Sequence, residues 1–211
     1  MVNDIKLSIY LEEIKMQENN ERGIIASSEL PNDEYLKSIG KFIVTFSKFE
    51  ENVSVFISLL LGDNTELVST IANSMDIRER CITLRGICAY KLGSADKIRD
   101  GENLKKDKEI QELDKLFKNV QKAVEKRNEF IHSNWSNDPE TGKAHRLRWT
   151  KAKQIYGWPE ANYALVNIEE IEAETKFIEK VHDTLWKYIW SKFGNSILQR
   201  AKNNEDGLQM L

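Results

Sequence analysis

The feature that most constrains the fold of this 211-residue chain is the spacing of its apolar residues, which recur at steps of three and four along several long stretches. The clearest stripe follows Pro31 and stops at Gly62. Such spacing places side chains on one face of an α-helix, and only three prolines and ten glycines are present to interrupt it. The sequence therefore predicts a mainly helical protein. The members of the first stripe are Leu36, Ile39, Phe42, Ile43, Phe46, Phe49, Val53, Phe56, Ile57 and Leu60.

The same pattern predicts an all-α bundle of four long helices within residues 32–199. An N-terminal extension, residues 1–31, carries a candidate short helix, and residues 200–211 are predicted to be a frayed tail. Two stretches spaced as capping boxes mark helix starts, and "GSADKIRDGEN" is predicted to be a loop. Before the last helix, "HRLRWTKA" and "NYALV" predict a small β-hairpin or an ordered loop. The helices are predicted at Asn32 or Asp33 to Gly62, Asp63 or Asn64 to Gly93 with a break at Asp76, about Asn103 to His132, and Asn167 to about Phe193.

The net charge and the cysteine spacing exclude some classes of protein. A formal net charge of −3 argues against a protein that coats nucleic acid by bulk electrostatics, although it leaves room for local basic patches. Cys81 and Cys88 lie two helical turns apart, too far for a disulfide, so they are predicted to be core residues. The sequence shows neither a signal-peptide pattern nor a membrane-length apolar run, so we expect a cytoplasmic protein without a membrane partner.

Polar residues interrupt the apolar pattern in two helices. The stripe of the third helix, from Ile110 to Val124, continues at the same steps to Arg127, with Asn128 beside it and His132 four residues beyond Asn128. Glu50 interrupts the stripe of the first helix in the same way. Because an unpaired buried charge costs several kcal/mol, the sequence predicts that Glu50 faces Arg127 and His132. A purely structural interpretation competes with this one, since a cation near a helix C-terminus complements the helix dipole and can reach water along its own stem.

One stretch resembles the signature of the HEPN superfamily. It consists of Arg127, the polar residue after it, and His132, near the end of the third of four helices, and it is followed by Trp135. The acidic residue in "FSKFEENVSVFISLLLG" resembles the pattern of bacterial members. The resemblance implies a HEPN-like four-helix up-and-down bundle and, in many members, metal-independent endoribonuclease activity in toxin–antitoxin, phage-defence or RNA-processing systems. It also implies a homodimer, an RNA substrate, no cofactor, and in some systems an antitoxin or other regulatory protein.

RNA cleavage through its own 2′-hydroxyl needs two proton transfers and positive charge at the phosphate. The candidate catalytic residues are therefore His132 for proton transfer, Arg127 for the phosphate, Asn128 to hold the imidazole or a phosphate oxygen, and Glu50 to fix Arg127. Five residues along an ideal helix separate two side chains by about 140°, so Arg127 and His132 do not converge on one helix. Either the helix loosens around Phe130, or each residue works with its counterpart in a second subunit.

A basic segment follows the motif. "KAHRLRWTKAK" mixes cations with a tryptophan and lacks acidic residues, which suits a strand of RNA because cations meet phosphates and rings stack on bases. A solvated hairpin whose tryptophan packs on the bundle fits the same pattern. The candidate nucleic-acid-binding residues are Lys143, Arg146, Arg148, Trp149, Lys151 and Lys153.

Other kinds of site are not indicated. His145 and His182 form no ligand spacing with the cysteines or nearby carboxylates, so no metal site is predicted, and His182 is expected to be a satisfied core histidine. Glycine-rich phosphate loops and serine elbows are missing from the sequence. Two rival functions fit the same helices: a catalytically inactive interaction or scaffold domain with a buried network of Arg127, Asn128, His132 and Glu50, and an unrelated helical bundle that binds a partner helix.

Overall fold

The computed structural model describes residues 30–62, 65–100, 103–104, 107–138, 141–149 and 161–208. These residues form mostly helices and one small antiparallel sheet, which confirms the mainly helical prediction. None of the described helices is long and apolar enough to span a bilayer. The helices are α1 (Asp33–Leu61), α2 (Thr65–Ser74), α3 (Ile77–Lys91), α4 (Ser94–Arg99), α5 (Lys108–Ile131) and α6 (Ile168–Leu208), and the strands are β1 (Asn134–Asn137), β2 (Ala144–Trp149) and β3 (Ala161–Val166).

Helix α1 has the predicted ends. The Asn32 side-chain oxygen accepts hydrogen bonds from the backbone N–H groups of Glu34 at 3.1 Å and Tyr35 at 3.2 Å, which caps the first turn. Gly62 follows the last turn with φ +88°, a left-handed conformation that glycine adopts without steric cost. The capping residues visible in the sequence therefore define this helix.

The buried face of α1 is narrower than its apolar stripe. Most of the stripe is buried, including Phe42, Phe49 and Phe56 at 0% exposure. Leu36 and Ile43 are 41% and 38% exposed, so their predicted place in the core is wrong. Both lie at the edge of the stripe, where a three-and-four spacing alone does not separate core from surface.

The region between the first and third predicted helices contains more helix than expected. The predicted break at Asp76 is confirmed, since its carboxylate accepts from Glu79 N–H at 2.9 Å and the Glu79 carboxylate accepts from Asp76 N–H at 3.2 Å. The predicted loop "GSADKIRDGEN" instead contains α4, which begins after Gly93 at φ +76°. One turn and a half of helix is too short to show an apolar period.

Helices α5 and α6 differ from the prediction at one end each. Asp107 caps α5 by accepting from the N–H groups of Glu109 and Ile110, so the helix starts later than the predicted Asn103. Helix α6 begins after Asn167 as predicted and continues to Leu208, well beyond the predicted end near Phe193. No proline follows Phe193 to stop it.

The predicted hairpin is two strands of a three-stranded antiparallel sheet in the order β1-β2-β3. Strands β2 and β3 pair from Ala144 opposite Val166 to Trp149 opposite Ala161, as the alternating pattern predicts. Strand β1, "NWSN", was not predicted, because asparagine and serine have low strand propensity. Its pairing with β2 supplies the strand conformation that its own composition does not favour.

The described residues divide into two compact units. One lies within Met1–Ile39 and His132–Ile171 and contains the sheet, with Ala144 and Val166 buried at 0% and 4% exposure. The other lies within Gly40–Ile131 and Glu172–Leu211 and is helical. In the helical unit, ring contacts join α1 to its neighbours: Phe42 stacks on Phe130 of α5 at 4.1 Å, and Phe56 lies 5.2 Å from Trp186 of α6.

Candidate active site

The last turn of α5 places a cation against the aromatic core of the helical unit. Arg127 continues the buried stripe of α5 and is half-buried, and its Cζ lies 5.8 Å from the centre of the Phe46 ring on α1. Its Nη1 donates a hydrogen bond of 3.1 Å to the side-chain oxygen of Asn128. Two of the predicted site residues are therefore joined directly.

The other nitrogens of Arg127 lack an anionic partner. Its Nε is buried without a hydrogen-bond acceptor, and no carboxylate of the described residues forms an ion pair with it. A buried donor left without an acceptor costs about 1–3 kcal/mol. A partly desolvated guanidinium with an unused N–H is suited to an anionic oxygen, because the desolvation strengthens the attraction.

Glu50 does not supply that anion, and the predicted pairing of Glu50 with Arg127 is wrong. Its Oε1 lies 3.3 Å from Nη2 of Arg80 on α3. Arg80 also donates to the backbone oxygen of Met75 at 2.9 Å and to the hydroxyl oxygen of Ser54 at 3.2 Å. The carboxylate in the α1 stripe is thus paired with a different helix, which the spacing within α1 could not reveal.

His132 lies outside the helix that carries Arg127. It is exposed and occupies the turn directly after Ile131, the last residue of α5. It belongs to the unit that contains the sheet, whereas Arg127 belongs to the helical unit. Helix α5 is continuous through Phe130, so the first of the two alternatives, a loosening there, is absent, and the ideal-helix angle does not apply to a residue beyond the helix end.

Asn128 also lines a cleft of about 430 Å³ between α3 and α5, which we call the α3–α5 cleft. Sequence reasoning missed this cleft. The sequence feature that could have indicated it is Ile82. This residue is apolar, lies outside the buried stripe of α3 and is 64% exposed. The lining residues are Arg78, Cys81, Ile82, Arg85, Asp114, Phe117, Lys118, Gln121, Val124, Glu125 and Asn128.

The candidate nucleic-acid-binding residues fall on and around β2. Lys143 is exposed just before the strand, and Arg146 and Arg148 are half-buried on the same face of β2 as the buried Ala144. Arg146 lies directly opposite Trp135 of β1. Trp149 is the last residue of β2, and Lys151 and Lys153 lie outside the described residues.

The two cysteines are not nucleophiles. Both are free and buried, and burial raises the pKa of each thiol to about 12. Each therefore remains a protonated core residue at neutral pH, as predicted.

His182 is half-buried in the helical unit, with its Nε2 at 3.0 Å from the Asn52 side-chain nitrogen. Because an amide nitrogen only donates, this ring nitrogen accepts, and the other ring nitrogen, Nδ1, lies 3.4 Å from the Asp183 carboxylate. The described residues contain no cluster of histidine, cysteine or carboxylate side chains that could hold a metal ion.

The arrangement can thus offer a guanidinium to an anion and, in the turn after α5, an exposed imidazole. Both groups are competent for phosphate chemistry without a metal. Comparisons of the chain with protein-family models, with curated proteins and with solved structures gave no match.

Proposed function

We propose that the protein is a metal-independent endoribonuclease of HEPN type, a four-helix up-and-down bundle that acts as a homodimer on RNA. The observation that carries the proposal is the state of Arg127. Its guanidinium is half-buried, its Nε has no acceptor, and no carboxylate of the described chain neutralises it. An anion that approached this group would gain both a charge partner and an unused hydrogen-bond donor.

RNA is the anion that also explains His132. Phosphate binding by Arg127 would hold the scissile group, and its charge would stabilise the extra negative charge of the transition state. His132 is exposed at the turn after α5, where an imidazole can take the proton of the 2′-hydroxyl or donate one to the leaving 5′-oxygen. DNA lacks the 2′-hydroxyl, so the proposed reaction is specific for RNA.

Asn128 is a positioning residue in this proposal. An arginine has donors only, so the Asn128 side chain must present its oxygen to Nη1 of Arg127. This bond fixes the guanidinium plane and leaves Nη2 to donate to a phosphate oxygen. Glu50 has no part in the proposed site, because it is paired with Arg80.

The basic segment would hold the rest of the strand. Lys143 is exposed and Arg148 is half-buried in the strand that follows, so the sheet offers cations to the phosphates of a bound strand. Such contacts are independent of sequence and weaken with salt. The sheet would then supply affinity, and the residues around α5 would supply chemistry.

The test is cleavage of single-stranded RNA by the full chain in EDTA. We expect cleavage by the wild type and a loss of about 100-fold or more in Arg127→Gln. Lys122→Gln is the matched control. Lys122 is exposed on the same helix, and its substitution also removes one positive charge. Equal cleavage by both variants, or cleavage only with added metal, would overturn the proposal.

A catalytically inactive interaction domain is the second candidate. It is favoured by the contact of Arg127 with Phe46, because a guanidinium over an aromatic ring can be purely structural. In that case Arg127→Gln lowers the free energy of unfolding and the wild type never cuts RNA. The proposed nuclease instead loses cleavage with little change in melting temperature.

A further inference from the structure

The α3–α5 cleft begins at the proposed site and extends away from it along both helices. Asn128, which holds Arg127, is also one of the residues that line the cleft. The volume of the cleft, about 430 Å³, falls within the range of pockets that hold small organic groups, about 300–1,000 Å³. The cleft is therefore adjacent to the proposed phosphate position and large enough to accept part of the substrate.

The lining combines an apolar floor with unpaired positive charge. Cys81, Phe117 and Val124 are buried below it, and Ile82 projects beside it at 64% exposure. Arg85 is paired with Asp114 at 2.5 Å across the cleft. Arg78 and Lys118 form no ion pair within the described chain, and Glu125, the other lining carboxylate, accepts from Gln121 at 3.0 Å, so cations outnumber carboxylates at the cleft by three to two.

The hydrogen-bonding side of the cleft has a fixed polarity. Because the Asn128 oxygen accepts from Arg127, its NH₂ group is the end left to donate to a ligand. That group has no acceptor among the described residues. A ligand here would need an apolar body, a hydrogen-bond acceptor at its edge and negative charge nearby.

We infer that the α3–α5 cleft binds one nucleobase of the RNA strand whose phosphate is held by Arg127. The flat apolar faces of a base can pack on the floor, and its ring nitrogens or carbonyl oxygens can accept from the Asn128 amide. The phosphates on either side of that base in the strand can contact Arg78 and Lys118. The inference rests on the proposed function for its substrate, and it assigns base preference to a surface distinct from the cleavage chemistry.

The test measures binding in the absence of cleavage. Short fluorescein-labelled 2′-O-methyl oligomers of U, A, C or G cannot be cut through their own 2′-hydroxyl, so fluorescence anisotropy with the full chain reports affinity alone. We expect the wild type to prefer one or two of the four oligomers by about tenfold in Kd. Equal affinity for all four would overturn the inference.

The decisive variant is Ile82→Glu, and Ile98→Glu is its matched control. Ile98 lies on α4 with 61% exposure, so both changes add one carboxylate at a surface isoleucine of similar exposure. We expect Ile82→Glu to weaken the preferred oligomer about fivefold or more and to abolish the preference, while Ile98→Glu retains it. Circular dichroism melting should show both variants folded.

Two further outcomes separate this inference from the proposed function. If Ile82→Glu abolishes base preference but the wild type never cuts RNA, the base-binding cleft stands and the nuclease fails. If Ile82→Glu leaves RNA binding unchanged and instead alters the mass of the protein in sedimentation, the cleft is a contact surface for a second copy and the inference is overturned.

Discussion

Glu50 of α1 and Arg80 of α3 form an ion pair of 3.3 Å, and this pair accounts for the carboxylate that interrupts the apolar stripe of α1. The Arg80 side chain is 13% exposed and also bonds to Met75 and Ser54. One guanidinium thus connects α1, α3 and the residue before the α3 cap. The pair fixes α3 against α1 and leaves Arg127 without the carboxylate that the sequence predicted for it.

Removing Arg80 should therefore destabilise the protein. Arg80→Met leaves the Glu50 carboxylate, the Ser54 hydroxyl and the Met75 carbonyl without their partner, and we expect the free energy of unfolding to fall by about 2–3 kcal/mol. Urea denaturation measures it. Arg85→Met is the control, because Arg85 pairs with Asp114 at an exposed position and should cost less than about 1 kcal/mol. Equal costs would show that the Arg80 contacts contribute little.

Several elements could be predicted from the sequence because local chemistry defines them. Asn32 and Asp76 cap their helices with their own side chains, and Gly62 ends α1 with a left-handed conformation. Strands β2 and β3 each have an alternating pattern in their own sequence, which predicts a strand without reference to the strands beside them. Each of these signals lies within a few residues of the feature that it specifies.

The remaining features depend on contacts between distant parts of the chain. The partner of Glu50 is thirty residues away, on a helix whose rotation the sequence does not give. Strand β1 exists through its pairing with β2, and the α3–α5 cleft exists through the packing of two helices. Arg127 was correctly predicted to interrupt a buried stripe, but its lack of an ion-pair partner in the described chain required the structure.

Stability should fall at alkaline pH because of the buried thiols. Burial raises the pKa of Cys81 and Cys88 to about 12, above the value in the unfolded chain. The unfolded chain therefore releases thiol protons first, and above about pH 9 folding stability declines by up to about 1.4 kcal/mol per thiol for each pH unit. Below that pH this contribution is fully retained.

Urea denaturation between pH 7 and pH 11 measures this decline. The double variant Cys81→Ala, Cys88→Ala should be less stable than the wild type at pH 7 but should show a shallower slope above pH 9, because it has no thiols to ionise. In parallel, both wild-type thiols should resist Ellman's reagent at pH 8 until guanidinium is added. Identical slopes, or rapid reaction of the folded protein, would contradict burial of the thiols.

Gly40 within α1 and Gly62 directly after it should respond to alanine with opposite sign. Gly62 has φ +88°, and a Cβ added there would collide with the Arg200 guanidinium, whose Nη2 donates to the Leu59 oxygen at 3.2 Å. Gly62→Ala should therefore cost about 1–2 kcal/mol. Gly40 lies inside the helix with open space at its Cβ position, so Gly40→Ala should gain about 0.5–1 kcal/mol. Thermal denaturation of both variants measures the difference, and the same sign for both would contradict the geometry.

His132 and His182 should separate activity from stability. His132 is exposed, so His132→Ala should leave the melting temperature nearly unchanged and abolish RNA cleavage in EDTA. His182 accepts from Asn52, so His182→Ala should cost about 1 kcal/mol of stability and retain cleavage. Circular dichroism melting and a gel assay of the same preparations measure both properties. Loss of stability in His132→Ala without any wild-type cleavage would instead favour the inactive interaction domain.

Mixing inactive variants tests whether the site is shared between subunits. Arg127 and His132 fall in different compact units of the chain, and the proposed homodimer lets each act with its counterpart from the second subunit. In a mixed dimer of Arg127→Gln and His132→Ala subunits, one site would then keep both wild-type residues and the other would lose both.

After refolding an equimolar mixture, half of the dimers are mixed and each has one intact site, so we expect about a quarter of wild-type cleavage. Each variant refolded alone is the control and should be inactive. If every site instead takes both residues from one subunit, no dimer in the mixture holds an intact site and the mixture stays as inactive as its components. Recovery of cleavage would therefore identify the subunit boundary as part of the site, because neither inactive chain contains both functional groups.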